Sequence, residues 1–339
     1  MSQQLLTFFP EVFRNSMLED VFDCDEKWFW KNCAKYDTGT NPDLIAGGLF
    51  AKACELTRIA FYQKGLDMYD SIEEGETFIL ESRDTGHKTK SNEVLANRFK
   101  RYFQKFPLNG DYKPVELMDG SYAIEYKFRL ELPILHPETN LPLIFQGTLD
   151  SLVWCRTDSG ELEVVINDEK TTDKLSRALG GSVDIEKETN KYVHSSQLIT
   201  YCWAARTLGV KVNKAHIMRV PMNVSYEEAV RLEIQIDDFM IDNWYGSMLE
   251  KVENLVGRYT AWKLSGDLSP RNFFRPTFKN DCQFYGRLCP FSIGCTLEVG
   301  ETLMRGQFQQ FVDHKETGVT LPLKDYISEL QERKIICLN

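Results

Sequence analysis

Asp150 closes the tetrapeptide Gly147-Thr-Leu-Asp150, and 18 residues later comes Asp168-Glu169-Lys170. Two carboxylates set on adjacent strands repel one another unless a divalent cation lies between them. Mg²⁺ and Mn²⁺ suit that place, because they prefer hard oxygen donors. Mg²⁺ usually takes only one or two carboxylates and leaves positions for water and a substrate phosphate. Lys170, two residues beyond Asp168, points to the same side of a strand. There it could orient or deprotonate an attacking water, or neutralise charge on a pentacovalent phosphorus. Gln197 and Tyr201, four residues apart in a helical pattern, share one helix face. They could meet the phosphate or hold the lysine and carboxylates in place.

An acid-any-lysine triplet alone is weak. It occurs six times here, at 25–27, 111–113, 125–127, 168–170, 313–315 and 332–334, against roughly three expected from composition. The bland reading of any one is a solvated charge pair. Context separates 168–170: an apolar strand leads into it, a Gly-x-x-Asp strand precedes it, and Gln197-x-x-x-Tyr201 follows.

The surrounding elements are those needed to position such a site. Residues 122–132 alternate, with Ile124, Tyr126, Phe128, Leu130 and Leu132 on one face and Glu125, Lys127, Arg129 and Glu131 on the other, as in a half-buried strand. Strands are expected at 143–156 and 161–168, joined through Ser159-Gly160. A helix follows over 195–209, closed by Gly209, then strands at 214–222 and 231–236. Asp237 can cap a long helix running to Gly266, with Met240, Trp244, Met248, Val252, Leu255 and Tyr259 on its apolar face. The order strand–strand–strand–helix–strand, with helices before and after, is an α/β arrangement.

The run GTLD, then EVVINDEKTT, then QLITY resembles the PD-(D/E)XK nuclease superfamily. The match is to its RecB-like and AddB-like branch, which includes CRISPR-associated RecB-like exonucleases and phage relatives. The resemblance implies a restriction-endonuclease-like mixed central sheet flanked by helices, and metal-dependent hydrolysis of DNA phosphodiesters. By the same resemblance Asp150 and Asp168 are metal-binding acids, Glu169 lends its backbone carbonyl, Lys170 is the catalytic lysine, and Gln197 and Tyr201 form the branch motif. The branch carries a metal-binding His on an N-terminal helix. The comparable stretch here, Gly47 to Glu55, has none, which leaves Glu55 or water as replacement.

Nine cysteines, an odd number, do not read as a disulfide framework. Cys282, Cys289 and Cys295 fall within fourteen residues and favour a metal or cluster site. The segment around Cys24, with Lys27 and Trp28-Phe-Trp30, resembles the N-terminal motif of AddB-like nucleases. There one distant cysteine and three C-terminal ones hold a [4Fe–4S] cluster that joins the chain ends. The implied ligands are Cys24, Cys282, Cys289 and Cys295, with Cys33 in reserve for Cys24. The gap between Cys282 and Cys289 is six residues where two are usual, and Zn²⁺ suits four thiolates equally.

The 339 residues carry 50 acidic and 40 basic side chains, a net charge of −10. That excludes a wholly basic nucleic-acid binder but not a local basic surface. Residues 67–81 hold six acids and no Lys or Arg. Residues 83–113 hold eight basic side chains against three acidic, and 258–287 six against two. Lys100, Arg101, Lys105, Arg271 and Arg275 are the candidate DNA contacts, with Tyr102, Phe103 and Phe106 interleaved for stacking or for the core. Expected partners are single-stranded DNA or duplex ends, and a helicase, annealing or single-strand-binding protein. The alternatives are a non-catalytic DNA-binding or assembly subunit that keeps the fold, and a CRISPR spacer-processing nuclease.

One nuclease domain is expected over 1–339. Its catalytic core covers about 120–225 and its cysteine clasp 16–33 and 270–296, with 297–339 unassigned. No stretch approaches the roughly 18 apolar residues that cross a bilayer. The N-terminus lacks a basic run before its apolar residues, so an intracellular protein is expected, and the resemblance implies the cytoplasm of a bacterium or phage-infected cell. No phosphate-binding G-x-x-x-x-G-K-[ST] loop is present, and five histidines (87, 136, 194, 216, 314) show no ligand spacing.

Overall fold

Every strand and helix expected between 122 and 266 forms, with shifted ends. The computed structural model describes residues 7–36, 42–87, 89–157, 159–222, 228–267, 269–277, 282–284, 287–292 and 295. In chain order these are β1 (Val12–Phe13), α1 (Asn15–Asp23), α2 (Asp25–Trp28, continued by a π-helical turn to Cys33), α3 (Pro42–Arg58), α4 (Met68–Glu81) and α5 (Asn92–Lys105). Then come β2 (Lys113–Pro114), β3 (Ile124–Leu135), β4 (Pro142–Arg156), β5 (Leu162–Thr172), α6 (Ile185–Asn190) and α7 (Ser196–Thr207). They are followed by β6 (Lys214–Pro221), β7 (Val230–Gln235), α8 (Asp238–Ser265) and a short hairpin, β8 (Gln283–Phe284) with β9 (Arg287–Leu288). The unassigned 297–339 lies outside the described residues, as do parts of the expected 270–296 clasp.

The result is a mixed α/β fold in which seven strands form one sheet. Two compact units divide the chain. The second takes the described residues of Thr40–Phe128 and Thr148–Asp242. Within it β5 pairs antiparallel with β4 and parallel with β6, and β7 closes antiparallel on β6. β5 runs to Thr172, past the expected end at 168, because β6 continues beside it as far as Thr172↔Pro221. Helices α3, α4 and α5 bury Phe50, Ala53, Ile79, Leu95 and Phe99 with Met218 and Val220 of β6. Gly75 permits that packing. A Cβ there would stand 2.3 Å from Thr57 Oγ1 and 2.8 Å from the Ala53 carbonyl, so any larger residue forces α4 off α3.

The first unit takes the described residues of Met1–Gly39, Arg129–Gly147 and Asn243–Pro322. β1 pairs parallel with the first half of β4 at Val12↔Ile144 and Phe13↔Phe145. Its core is aromatic: Trp28 stacks on Phe13 and on Phe274 at 6.2 and 6.1 Å, and Phe29 meets Phe274 at 4.7 Å. The Trp28-Phe-Trp30 cluster is therefore packing as well as motif. α8 buries Met248, Val252, Leu255 and Tyr259 as its periodicity requires. Asp237 caps it by accepting the Met240 N–H at 2.8 Å. Among the described residues no helix is long and apolar enough to cross a membrane.

Candidate metal centre

Alternation along β5 sends Asp168 and Lys170 to one face and Asn167, Glu169 and Thr171 to the other. The register Ser151↔Asn167 places Asp150, one residue earlier on β4, beside Asp168 on the same face. Lys170 stands opposite Arg219 of β6. The Asp168 carboxylate is completely buried, and Lys170 Nζ lies 2.9 Å from its Oδ2. That is an ion-pair contact only, since neither Asp168 oxygen has a hydrogen bond of good geometry. Burial, and then the charge of Asp168, push the Asp150 pKa well above the carboxylate range. Burial pulls the Lys170 pKa down, but Asp168 and Asp150 outweigh it and the net shift is upward. Lys170 therefore keeps its proton in the metal-free protein.

Helix α7 lies over this face, its start capped by Ser195 accepting from the Leu198 N–H. Gln197 Nε2 donates to Tyr201 Oη at 2.7 Å, so the spacing of four produces a direct bond between the motif residues. Burial raises the Tyr201 pKa, and the charges of Asp150 and Asp168 add to the rise, which puts the phenol beside the two acids. Arg219 is held by Glu188 of α6 at 3.3 Å and lies over the Tyr192 ring at 5.5 Å. The five expected catalytic residues, Asp150, Asp168, Lys170, Gln197 and Tyr201, thus share one locus.

Glu169 has a second role that its sequence position does not announce. Its side chain enters the opposite face, fully buried, where Arg58 of α3 grips both carboxylate oxygens. Tyr102 Oη and Asn167 Nδ2 donate to Oε1 at 2.8 and 2.7 Å. Burial alone would raise the Glu169 pKa, but Arg58 and these donors hold it below the ordinary value. The network anchors the β5 backbone whose Glu169 carbonyl was expected as a ligand.

Glu125 was read as part of a solvated strand face, and the structure corrects this. It takes a positive φ of 48°, a strained conformation for a non-glycine residue, at the start of β3. Burial, and then Glu55 and Glu169, lift its pKa to about 7. No local pattern marks it, because the acidic neighbours come from other elements. Glu55, the candidate replacement for the missing His, is paired to Lys52 at 2.6 Å on α3. It lies near Glu125 but has no contact with Asp150 or Asp168 among those described.

The oxygen donors fit a hard divalent cation: two carboxylates on adjoining strands, one of them buried without a hydrogen bond, and a main-chain carbonyl between them and the lysine. A second group of candidate ligands, Asp43, His87 and Asp173, places its donor atoms within 4.8 Å of one another. His87 was expected to be scattered, and tertiary structure alone brings it there. Lys90 already contacts Asp43, and lies 3.4 Å from Asp173. About 13 Å of strand separates Asp168 from Thr172, the residue before Asp173, so the two groups cannot ligate one ion.

Cys24 accepts the Thr277 N–H at 3.4 Å, and the Cys289 N–H donates to the Cys282 carbonyl at 2.9 Å. Burial raises the Cys289 thiol, with Cys24 and Cys282 adding to the rise. Burial likewise raises Cys295, with Glu26, Cys24 and Cys289 contributing. The four cysteines are thus electrostatic neighbours within the first unit. Among the described residues no three of their sulfurs all lie within 4.8 Å of one another. A tetrahedral zinc with bonds of about 2.3 Å would draw them to roughly 3.8 Å. Cys33, the reserve ligand, is fully buried, its thiol pushed up by that burial.

Of the expected DNA contacts, Lys100 is paired with Glu76 at 2.7 Å and Lys105 with Glu228 at 2.8 Å. Arg101 and Arg275 are exposed, and Arg271 donates its backbone N–H to Ser269. Tyr102 and Phe103 are core residues, so base stacking on them is ruled out.

No family model and no curated protein matches the chain. A solved structure described as "Putative exonuclease", from Eubacterium rectale, is similar over 74% of this chain and 82% of that one. Its identity is 10% and its TM-score 0.36, values that carry no argument about activity.

Proposed function

We propose that this chain is a metal-dependent deoxyribonuclease, an exonuclease hydrolysing phosphodiesters at DNA ends in recombination, repair or phage DNA processing. The observation that carries the reading is the Asp168 carboxylate. It is buried without a hydrogen bond beside Asp150, with Lys170 on the same face. Two acids share the one Lys170 ammonium there, and a divalent cation would complete their charge balance. Mg²⁺ or Mn²⁺, held by Asp150, Asp168 and the Glu169 carbonyl, would supply an activated water and neutralise phosphate charge. Lys170, protonated and confined, orients the phosphate and offsets charge as it builds. Gln197 and Tyr201 hold the wall opposite.

Labelled single-stranded or duplex DNA should shorten from an end in Mg²⁺ or Mn²⁺ and stay intact in EDTA. No cleavage with either ion, on any end structure, overturns the nuclease reading. Binding without cleavage would instead make the chain a non-catalytic DNA-binding subunit.

For Cys24, Cys282, Cys289 and Cys295 we infer a [4Fe–4S] ligand set, with Zn²⁺ as the alternative. Support comes from their shared unit and their mutual effect on thiol acidity. Anaerobic purification should yield a brown protein with about four irons per chain. A colourless protein with stoichiometric zinc selects zinc, and absence of both metals removes the assignment.

A further inference from the structure

Lys170 on β5 and Arg219 on β6 are direct partners across the parallel pair, so their side chains leave the same face of the sheet as Asp168. Neighbouring strands lie about 4.8 Å apart. The two cations start side by side and then diverge. Lys170 turns to Asp168 at 2.9 Å, and Arg219 turns to Glu188 of α6. Tyr192, in the turn after α6, serves both: the Arg219 guanidinium lies over its ring at 5.5 Å. Burial raises the pKa of its phenol, and Arg219, Lys170 and Asp168 are among the charges that act on it.

Neutralising Glu188 leaves most of Arg219 unused. The Glu188 side chain is fully buried, but its Oε1 already accepts the Ser176 N–H at 2.7 Å and contacts Lys191. Burial would raise its pKa, and Lys191, Ser176 and Arg219 together bring it down to about 2, so it is a fixed anion. Arg219 meets it through Nε alone, at 3.3 Å. A guanidinium committed to one carboxylate often pairs through two parallel N–H groups. Here neither Nη group makes a hydrogen bond among the described residues, and neither is sealed from solvent. Glu188 and the Tyr192 ring thus hold the side chain and leave its forked end open. Only 10% of that side chain is exposed, so little freedom remains to be lost when the fork meets a ligand. The fork matches two oxygens of a phosphodiester.

The geometry points to Arg219, positioned by Glu188 and Tyr192, as the contact for the phosphate next to the scissile one along a nucleic-acid strand. The sheet order β4, β5, β6 sets Arg219 one strand further from Asp150 than Lys170 is, beside the phosphate that Lys170 and the metal would serve. The assignment rests on the nuclease reading for its substrate class, and the experiment separates the two.

Full-length protein in EDTA is titrated with a fluorescent single-stranded oligonucleotide at several salt concentrations, as wild type, Arg219→Gln, Arg219→Lys and Lys64→Gln. Lys64, an exposed lysine paired with Glu74 at 2.8 Å, controls for the loss of any surface charge. Cleavage of a DNA strand and of a small activated phosphodiester, which has a single phosphate, is measured in Mg²⁺. Arg219→Gln should bind about tenfold more weakly, the loss of a charged hydrogen-bonded contact. Its salt slope should be lower by about 0.7, the value for one phosphate on a single strand. Its kcat/KM should fall about tenfold on DNA, through KM, and stay within about twofold on the small ester. Arg219→Lys keeps the charge and loses the fork, so its slope should match wild type while its affinity still falls. That variant decides if Arg219→Gln does not fold, and wild-type affinity in it then overturns the contact. An unchanged affinity and slope in Arg219→Gln, the same loss in Lys64→Gln, or an equal loss on the small ester also overturns it. Intact wild-type cleavage leaves the nuclease reading standing in each of those cases. An Arg219-dependent affinity and slope without any metal-dependent cleavage by wild type supports the phosphate contact and removes the nuclease reading.

Discussion

Replacing Asp168 by Ala should lower metal-dependent DNA cleavage by at least about 10³-fold, some 4 kcal/mol of barrier. The fold should survive. Asp168 is the ion-pair partner of Lys170 at 2.9 Å and also raises the Asp150 pKa, so its removal loses one contact and relieves another, while Asp150 remains beside Lys170. The metal-free variant should therefore still unfold cooperatively in urea, and be less sensitive to pH. A carboxyl whose folded pKa is raised binds protons more tightly in the folded than in the unfolded chain, so stability falls as pH rises through that window. For Glu125 the window runs from the ordinary value of about 4.3 to about 7, and Asp150 acts in the same direction. A divalent cation offsets the loss, so Mn²⁺ should raise the melting temperature of wild type more at high pH than at low, and that of Asp168→Ala hardly at all. Wild-type cleavage rates in the variant would remove Asp168 from the chemistry.

The second large effect is expected at Arg58. Arg58→Met leaves the Glu169 carboxylate buried with only Tyr102 and Asn167 to meet it, and should cost about 3–5 kcal/mol of unfolding free energy. The double variant Arg58→Met/Glu169→Leu removes both charges and should recover most of that loss, because the pair lies in an apolar setting of Phe50, Ala53 and Phe99. The depressed pKa of Glu169 sets the pH sign. Its contribution is present above the unfolded value and is lost as pH falls through the folded one. Wild type should therefore lose stability in acid faster than the double variant. Urea unfolding at neutral and acid pH decides the matter. A single-variant loss under about 1 kcal/mol would mean that water or a shifted side chain already compensates Glu169.

Much of the site could be read before any coordinates, for a physical reason. Strand alternation and helix periodicity are local, so Asp168 and Lys170 had to share a face, and Gln197 and Tyr201 had to share another. The hairpin through Ser159-Gly160 then set Asp150 beside Asp168 once both strands were recognised. These relations need only the backbone repeat and one turn.

The remaining relations depend on packing between distant segments. Arg58 and Glu169 are 111 positions apart and meet because α3 packs on the face of β5 away from the acids. No periodicity in either segment contains that fact. Glu125 sits on the polar side of an alternating strand, and only its positive φ and the approach of Glu55 and Glu169 turn it into a half-buried acid with a raised pKa. Asp43, His87 and Asp173 come from a helix start, a connection and a strand end. The aromatics between the α5 cations looked equally suited to stacking or to the core, and burial of Tyr102 and Phe103 decided for the core. The sequence by itself determined which residues could hold a metal and on which face of their own strand or helix they lie. Tertiary structure decided which buried charges support them, because desolvation and long-range pairing exist only once the faces are covered.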